Sequence, residues 1–145
     1  MEFRSSAFED GGKIPAKHSC DEADASPPLA ISGVPDGAVS LALVMDDPDA
    51  PVGTWDHRVV CNIAPDTAAI PENTEPEGVP GKNSWGKLGY GGPCPPSGTH
   101  AYRFKLYALD AELDLRRGST KLDLESAMQG HILADALLVG NYSRR

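Results

Sequence analysis

Two histidines, two aspartates, a tyrosine and a cysteine lie beside prolines and glycines that could hold them still. His57 closes Trp55-Asp56-His57, Asp47 opens Asp47-Pro48-Asp49-Ala50-Pro51, and the stretch from Gly91 to Tyr102 reads Gly-Gly-Pro-Cys-Pro-Pro-Ser-Gly-Thr-His-Ala-Tyr. Proline fixes backbone angles and glycine leaves its N–H open to close approach, so Gly91-Gly92-Pro93 describes a stiff loop able to hold a small anion. His100 and Tyr102, two apart on an extended strand, point to the same side and add an imidazole and a phenol. Asp47 would hold one histidine in the tautomer that aims a donor at the ligand. Two other chemistries use the same residues. Asp47, His57 and His100 could ligate a metal, and Cys94 with a His and an Asp could form a nucleophilic triad. The sequence carries neither H-E-x-x-H nor G-x-S-x-G, the motifs that would support zincin or α/β-hydrolase chemistry. Binding of a small anion such as phosphate or a phosphoryl headgroup is therefore favoured over catalysis, with no cofactor and no metal called for.

Taken singly, each segment has a plainer reading. A proline-flanked Asp pair is commonly a turn in which Asp bonds its own backbone, and an isolated strand histidine is commonly a satisfied structural residue. What raises them above that is their shared place at strand ends, where sandwiches build sites.

The positioning elements can be read from periodicity. Residues 38–45 form a near-continuous apolar run, suited to a strand covered on both faces. Residues 57–64 predict a second strand, with His57, Val59, Cys61 and Ile63 on one side and Arg58, Val60, Asn62 and Ala64 on the other. Residues 100–109 predict a third, with His100, Tyr102, Phe104, Leu106 and Ala108 on one face and Arg103, Lys105 and Tyr107 on the other. Shorter strands are expected over residues 2–6 and 29–31. Asp123 predicts the N-cap of a helix over residues 124–136, breakable at Gly130, and residues 137–142 predict a last strand. His131 then falls inside that helix, and both it and His18 read as structural. The long segment 65–90 has little periodicity and reads as a functional loop, its acidic run 72–77 solvated and Trp85 and Tyr90 either lining a site or pinning the loop. Fifteen Gly and thirteen Pro favour many short strands, and the fold class expected is an all-β dominated antiparallel sandwich, Greek-key-like, with one or two short helices near the C-terminus.

At 145 residues, with 40% hydrophobic and 23% charged residues, the chain suits one domain over residues 1–145. A net charge of −8 opposes nucleic acid and anionic membrane surfaces, so a bound anion must be held by local dipoles. The first residues lack the apolar core of a secretory signal and no run reaches membrane-spanning length, so a cytoplasmic location is expected. Cys20, Cys61 and Cys94 are an odd set without a C-x-x-C pair. That excludes a zinc ribbon or thioredoxin-like motif and favours reduced thiols, leaving a Cys20–Cys94 bridge open.

In combination the segments closely resemble the phosphatidylethanolamine-binding protein family, also called Raf-kinase-inhibitor-like, in its short bacterial branch. The likeness covers nearly the whole chain: Ile14-Pro15-Ala16-Lys17-His18-Ser19-Cys20-Asp21, Ser26-Pro27-Pro28-Leu29, the Asp47 to Pro51 signature, Trp55-Asp56-His57, Gly81-Lys82-Asn83-Ser84-Trp85-Gly86, Gly89 to Pro96, His100-x-Tyr102 and Gly130-His131-Ile132-Leu133-Ala134. The resemblance implies an antiparallel β-sandwich with a small anion pocket. It implies Asp47 as the pocket carboxylate, His57 and His100 as its histidines, Tyr102 as partner tyrosine, Gly91, Gly92 and Pro93 as loop wall, and Ala50 and Trp55 as apolar lining. It also implies a cis Ala50-Pro51 peptide and a regulatory role. Protein partnering is an alternative the family allows, although the sequence names no partner, and a homodimer is compatible with it. Ala101 stands where the family commonly has Arg, and Cys61 where larger aromatic residues are frequent.

Overall fold

A computed structural model describes residues 1–145. The chain is mostly β, arranged in two sheets. The larger sheet has the order β2 (Gly12–Lys13), β9 (Ile132–Tyr142), β8 (His100–Leu109), β4 (Ser40–Asp47), β5 (Trp55–Ile63), β7 (Val79–Pro80). The smaller has β1 (Glu2–Arg4), β3 (Leu29–Ser32) and β6 (Ala69–Ile70). Apart from the parallel pair β2–β9, every pairing is antiparallel. The sandwich expected from the short apolar runs is therefore observed.

All eight residues of β4 are buried, because the strand is covered on both faces. Leu41, Leu43 and Met45 pack between the sheets with Phe104, Leu106 and Leu138 from the large sheet and Phe3, Leu29, Ile31 and Ile70 from the small one. Ala42 and Val44 face the other way, into a second cluster with Val59, Cys61, Leu109, Leu124 and Met128. Burial of each large aliphatic side chain contributes about 1.5–3 kcal/mol, so a strand with two apolar faces anchors both layers. The β8 alternation follows the expected pattern, with Tyr102, Phe104, Leu106 and Ala108 between the sheets.

On β5 the alternation breaks twice. Asp46 pairs with Asp56 and Met45 with Arg58, so His57 is an extra residue on β5. Leu43 pairs with Val60 and Leu41 with Ile63, which inserts a second extra residue where Asn62 takes a φ of 55°. Asn62 is held there by two bonds to the Leu113 backbone, each 2.8 Å. The expected single face of His57, Val59, Cys61 and Ile63 is thus split: Ile63 joins the inter-sheet core while Val59 and Cys61 face the helix. A bulge places two successive residues on one side of a sheet, and simple alternation cannot register it.

The C-terminal helix also differs from the sequence expectation. Helix α1 spans Lys121–Met128, and Thr120, not Asp123, is its N-cap. Thr120 accepts from the Asp123 N–H at 3.2 Å and Asp123 accepts from the Thr120 N–H at 3.0 Å, a reciprocal capping box. Gly130, with φ 80°, turns the chain out of the helix, so the stretch expected to be helical up to Ala136 instead enters β9 at Ile132. Extended pairing with β8 along its length outweighs the weak helical periodicity of that stretch. His131 lies in the intervening turn, its Nδ1 2.7 Å from Asp110.

Asp46 locks α1 to the sheet. It is fully buried and receives Arg103 Nε at 2.8 Å, Lys105 Nζ at 3.1 Å and Lys121 Nζ at 3.2 Å, and Lys121 also meets Asp56 at 2.8 Å. Burial alone would raise the Asp46 pKa, but the hydrogen bonds from Arg103 and Lys105 and the adjacent lysine charges prevail and hold it below the usual value. No helix is long and apolar enough to cross a membrane. Replacement of Thr120 by Ala removes one half of the capping box and should lower stability by about 1 kcal/mol, measured as a shift of the urea midpoint with unchanged m-value.

Candidate functional site

The bulge on β5 places His57 beside the strand ends of β4 and β8. His57 and Tyr102 rings meet edge to face with centroids 5.2 Å apart, and His100 stacks on Tyr102 at 6.3 Å. Together with Asp47, Ala50, Pro51, Val52, Trp55, Trp85, Cys94, Pro95 and Pro96 these three residues line a surface cavity of about 280 Å³. The cavity therefore collects side chains from three neighbouring strands of one sheet. Trp85 closes one side, edge-on to His57 at 5.0 Å and to Trp55 at 5.6 Å, and is 44% exposed.

Both histidines are fixed through Nδ1. His57 Nδ1 donates to the Gly91 carbonyl at 2.7 Å and His100 Nδ1 donates to Asp47 Oδ2 at 2.7 Å. A carbonyl or a carboxylate only accepts, so each neutral ring carries its hydrogen on Nδ1 and offers a bare Nε2 to the cavity. Asp47 does set the His100 tautomer, but that tautomer presents an acceptor, and Nε2 becomes a donor only on the imidazolium. The other Asp47 oxygen accepts from the Asp49 N–H at 2.8 Å, while Asp49 accepts from the Ala101 N–H at 2.9 Å. The Asp-Pro-Asp segment is thus both a local turn and a tie to β8.

Tyr102 is fully buried, and its hydroxyl makes no well-formed hydrogen bond within the protein although the Asp47 carboxylate and the Cys94 backbone are near. Burial first, then the Asp47 charge, push the phenol far above its ordinary pKa, so it remains a donor. Burial lowers the His57 pKa below 6.5 against the opposing pull of the Gly91 carbonyl and the Asp47 charge.

Of the residues expected at a site, Asp47, Ala50, Trp55, His57, His100 and Tyr102 line the cavity. Gly91, Gly92 and Pro93 stand behind it, and their backbone is already used. The Gly91 N–H donates to the His57 carbonyl at 3.0 Å, the Gly92 N–H to Asp24 at 3.0 Å, and the Pro93 carbonyl accepts from Cys20 N–H at 3.1 Å. Loop amides from these glycines are therefore not free for an anion. Glycine is needed there for space: a Cβ on Gly91 would collide with the Trp85 ring, and one on Gly92 with Asp24 and the His18 carbonyl. The Ala50-Pro51 peptide is trans.

The sequence reading missed Pro51, Val52, Cys94, Pro95 and Pro96 as cavity wall. Cys94 is bonded to Cys20, with their Cα atoms 5.4 Å apart. This overturns the expectation of three reduced thiols and removes Cys94 as a resting nucleophile. The one free thiol, Cys61, is buried, and burial raises its pKa. No three His, Cys, Asp or Glu side chains converge in a metal-binding group, because His57 Nδ1 turns to Gly91 while Asp47 and His100 bond each other.

The acidic run 72–77 is not simply solvated. Arg58, 1% exposed, reaches Glu75 at 3.0 Å and the Thr74 carbonyl at 2.9 Å, and its guanidinium lies 5.6 Å from the Tyr90 ring centroid. Tyr90 in turn donates to the His18 carbonyl at 2.6 Å. Asn83 shapes the segment carrying Trp85, accepting from the Trp85 and Lys87 N–H groups at 3.0 and 3.1 Å and donating to Gly89 O at 3.1 Å.

The sequence profile of the family described as "Phosphatidylethanolamine-binding protein" matches residues 4–143. The chain belongs to the phosphatidylethanolamine-binding protein family. Its relatives include the UPF0098 protein of Methanothermobacter thermautotrophicus, 51% identical over 99% of both chains, and that of Pyrococcus abyssi, 45% identical over 97% of this chain and 84% of the other. A crystal structure of a phosphatidylethanolamine-binding protein homologue from Chlamydia trachomatis superposes with a TM-score of 0.96 at 42% identity, covering 99% of this chain and 97% of that one. Escherichia coli YbcL, described as a member of the mammalian family, superposes with 0.91 at 30% identity over 99% and 98%. Relatives in archaea as well as bacteria make this branch of the family wider than the bacterial one the motifs suggested.

Two outcomes are expected from this geometry. Glu75→Ala leaves the buried Arg58 without its carboxylate and should destabilise the fold by about 3 kcal/mol in urea denaturation. The unfolded chain protonates His57 near 6.5 while the folded one resists, so the unfolded state binds more protons and stability falls as pH drops through 6.5 towards the lower folded value. His57→Gln should flatten that slope between pH 7 and pH 5, as followed by thermal melts; an unchanged slope would contradict the burial argument.

Proposed function

We propose that the cavity binds a small oxyanion, phosphate or a phosphoryl headgroup, and that binding brings a proton into the site. The observation carrying this reading is the pair of Nδ1-anchored imidazoles on β5 and β8, flanking a buried tyrosine hydroxyl with no partner of its own. A buried donor left unsatisfied costs about 1–3 kcal/mol, and an oxygen ligand in the cavity offsets that cost. Each neutral ring presents a lone pair, which repels an anion. A bound dianion therefore requires protonation of an imidazole at Nε2, or a ligand whose own acidic hydroxyl donates there. Membership of a family described by phospholipid-headgroup binding supports the same ligand class. A regulatory role would take the form of a partner reading the loops around the occupied cavity.

Sulfate and phosphoethanolamine separate the two sources of the proton. Sulfate keeps its charge across the neutral range, so its affinity in calorimetric titration should rise about tenfold per pH unit between pH 8 and pH 6 for each proton the site takes up. Phosphoethanolamine carries an ionisable hydroxyl and should show a shallower dependence. His100→Ala or His57→Ala should weaken either ligand by about 10- to 100-fold, the worth of one charge-assisted hydrogen bond of about 1.5–3 kcal/mol. Equal sulfate affinity at pH 6 and pH 8, or wild-type affinity in both variants, would refute the reading.

A further inference from the structure

A second cavity, about 310 Å³, lies against the first and shares Trp85 and Cys94 with it; Cys20, Asp24, Asn83, Lys87, Leu88 and Tyr90 are among its other lining residues. The Cys20–Cys94 bond therefore joins Cys94, which lines both cavities, to Cys20, which lines only the second. Cys20 is exposed and Cys94 half-buried. We propose that Cys20–Cys94 is a thiol–disulfide exchange site, reached by a dithiol reductant through the second cavity, whose redox state sets the shape of the anion cavity's wall. The effect on ligand affinity rests on the anion-binding reading above; the effect on the wall does not.

The argument is one of connectivity. Up to Pro93 the wall segment is tied by backbone and side-chain bonds: Gly91 to His57, Gly92 to Asp24, Pro93 to Cys20. From His100 onward it is tied by β8 pairing and by Asp49. Residues 94–99 contribute no well-formed hydrogen bond between those points, so the disulfide is the one specific link holding the Cys94-Pro95-Pro96 wall. A rigid covalent tie in an otherwise unbonded wall gives the bond leverage over the cavity. On the other side, the segment around Cys20 is held independently: Ser19 bonds the Ala16 carbonyl at 2.7 Å and the Tyr142 hydroxyl at 2.8 Å, and Tyr142 donates to Asp21. When the bond opens, the segment that moves is the one lining the anion cavity.

Cys20 is the more exposed residue of the pair, so an incoming thiolate meets it first. A thiolate of the reductant attacks Cys20 Sγ, the S–S bond breaks, and Cys94 leaves as a thiolate that takes up a proton. The second thiol of the reductant then attacks its own sulfur in the mixed disulfide, closing the oxidised reductant and releasing Cys20 as a thiol. Two electrons and two protons pass from the dithiol to the protein. Cys94, now free, lines a cavity whose donors serve an anion, and the Pro95-Pro96 wall is no longer fixed against it. Cys61, buried in the second core, takes no part.

Dithiothreitol on the full chain, with alkylation and mass mapping to verify reduction, supplies the test. Trp55 and Trp85 are the chain's only tryptophans and both line the anion cavity, so intrinsic fluorescence reads the wall without any ligand. Reduction should shift that emission reversibly, and the Cys20→Ser/Cys94→Ser double variant should show the reduced spectrum with or without dithiothreitol. Sulfate affinity at pH 6 should fall by about 5-fold or more on reduction and return on reoxidation. Verified reduction that leaves the emission unchanged overturns the proposal, as does a Cys20–Cys94 bond that resists dithiothreitol in the folded protein. If emission shifts while sulfate binds neither form, the redox site stands and the anion-binding reading fails. If emission shifts while sulfate affinity is the same in both forms, the proposed control over the ligand is refuted.

Discussion

One extra residue in β5 governs the arrangement of the whole molecule. Because His57 has no opposite number between Asp46 and Met45 on β4, three successive residues are sent to three different tasks. Asp56 turns outward to Lys121 and the helix, His57 turns to the cavity, and Arg58 enters the space below the 65–90 segment. In a regular strand His57 would lie opposite its neighbours on both sides and would share a face with Val59. The bulge thus couples the helix face, the cavity and the long loop through a few ångströms of backbone.

Around that point most of the polar interior is satisfied by partners from distant segments. Asp46 is met by three cations, Arg58 by Glu75 and Thr74, and Ser19 by Tyr142 and Ala16. These contacts hold elements in place, although Arg58 keeps one nitrogen without a partner. The Tyr102 hydroxyl is left open at the cavity, between two imidazoles bonded only through Nδ1; His18 Nε2 and Arg58 Nη1 are also without partners, outside the cavity's lining. Buried polar groups without partners are uncommon in folded proteins, and an unpartnered hydroxyl flanked by two anchored imidazoles is what marks the cavity out from the neighbouring depressions.

Much of this was legible from residue type and spacing. The β4 run announced a strand buried on both sides, β8 announced its two faces, and the polar rings at the starts of β5 and β8 announced side chains gathered around one cavity. What was not legible depended on contacts between distant segments. A bulge is a mismatch between two strands, so no periodicity within β5 reveals it. Glycines at 91 and 92 suggested open amides, whereas the nearby Trp85 ring and the remote Asp24 require the missing Cβ. Three cysteines favoured free thiols until the fold brought Cys20 within bonding distance of Cys94. Residues 132–136 have a sequence that suits a helix, and the partner strand β8 decided otherwise.

The cluster at Asp46 has a consequence for how this sequence can change over time. One carboxylate there receives Arg103, Lys105 and Lys121 at once, so its loss would leave Arg103 and Lys105 without that partner and Lys121 with Asp56 alone. Each cation alone is dispensable by comparison, since the other two remain. Substitution can therefore proceed gradually from the basic side but not from the acidic one, and the position next to the cavity-lining Asp47 is shielded from drift by a constraint of its own.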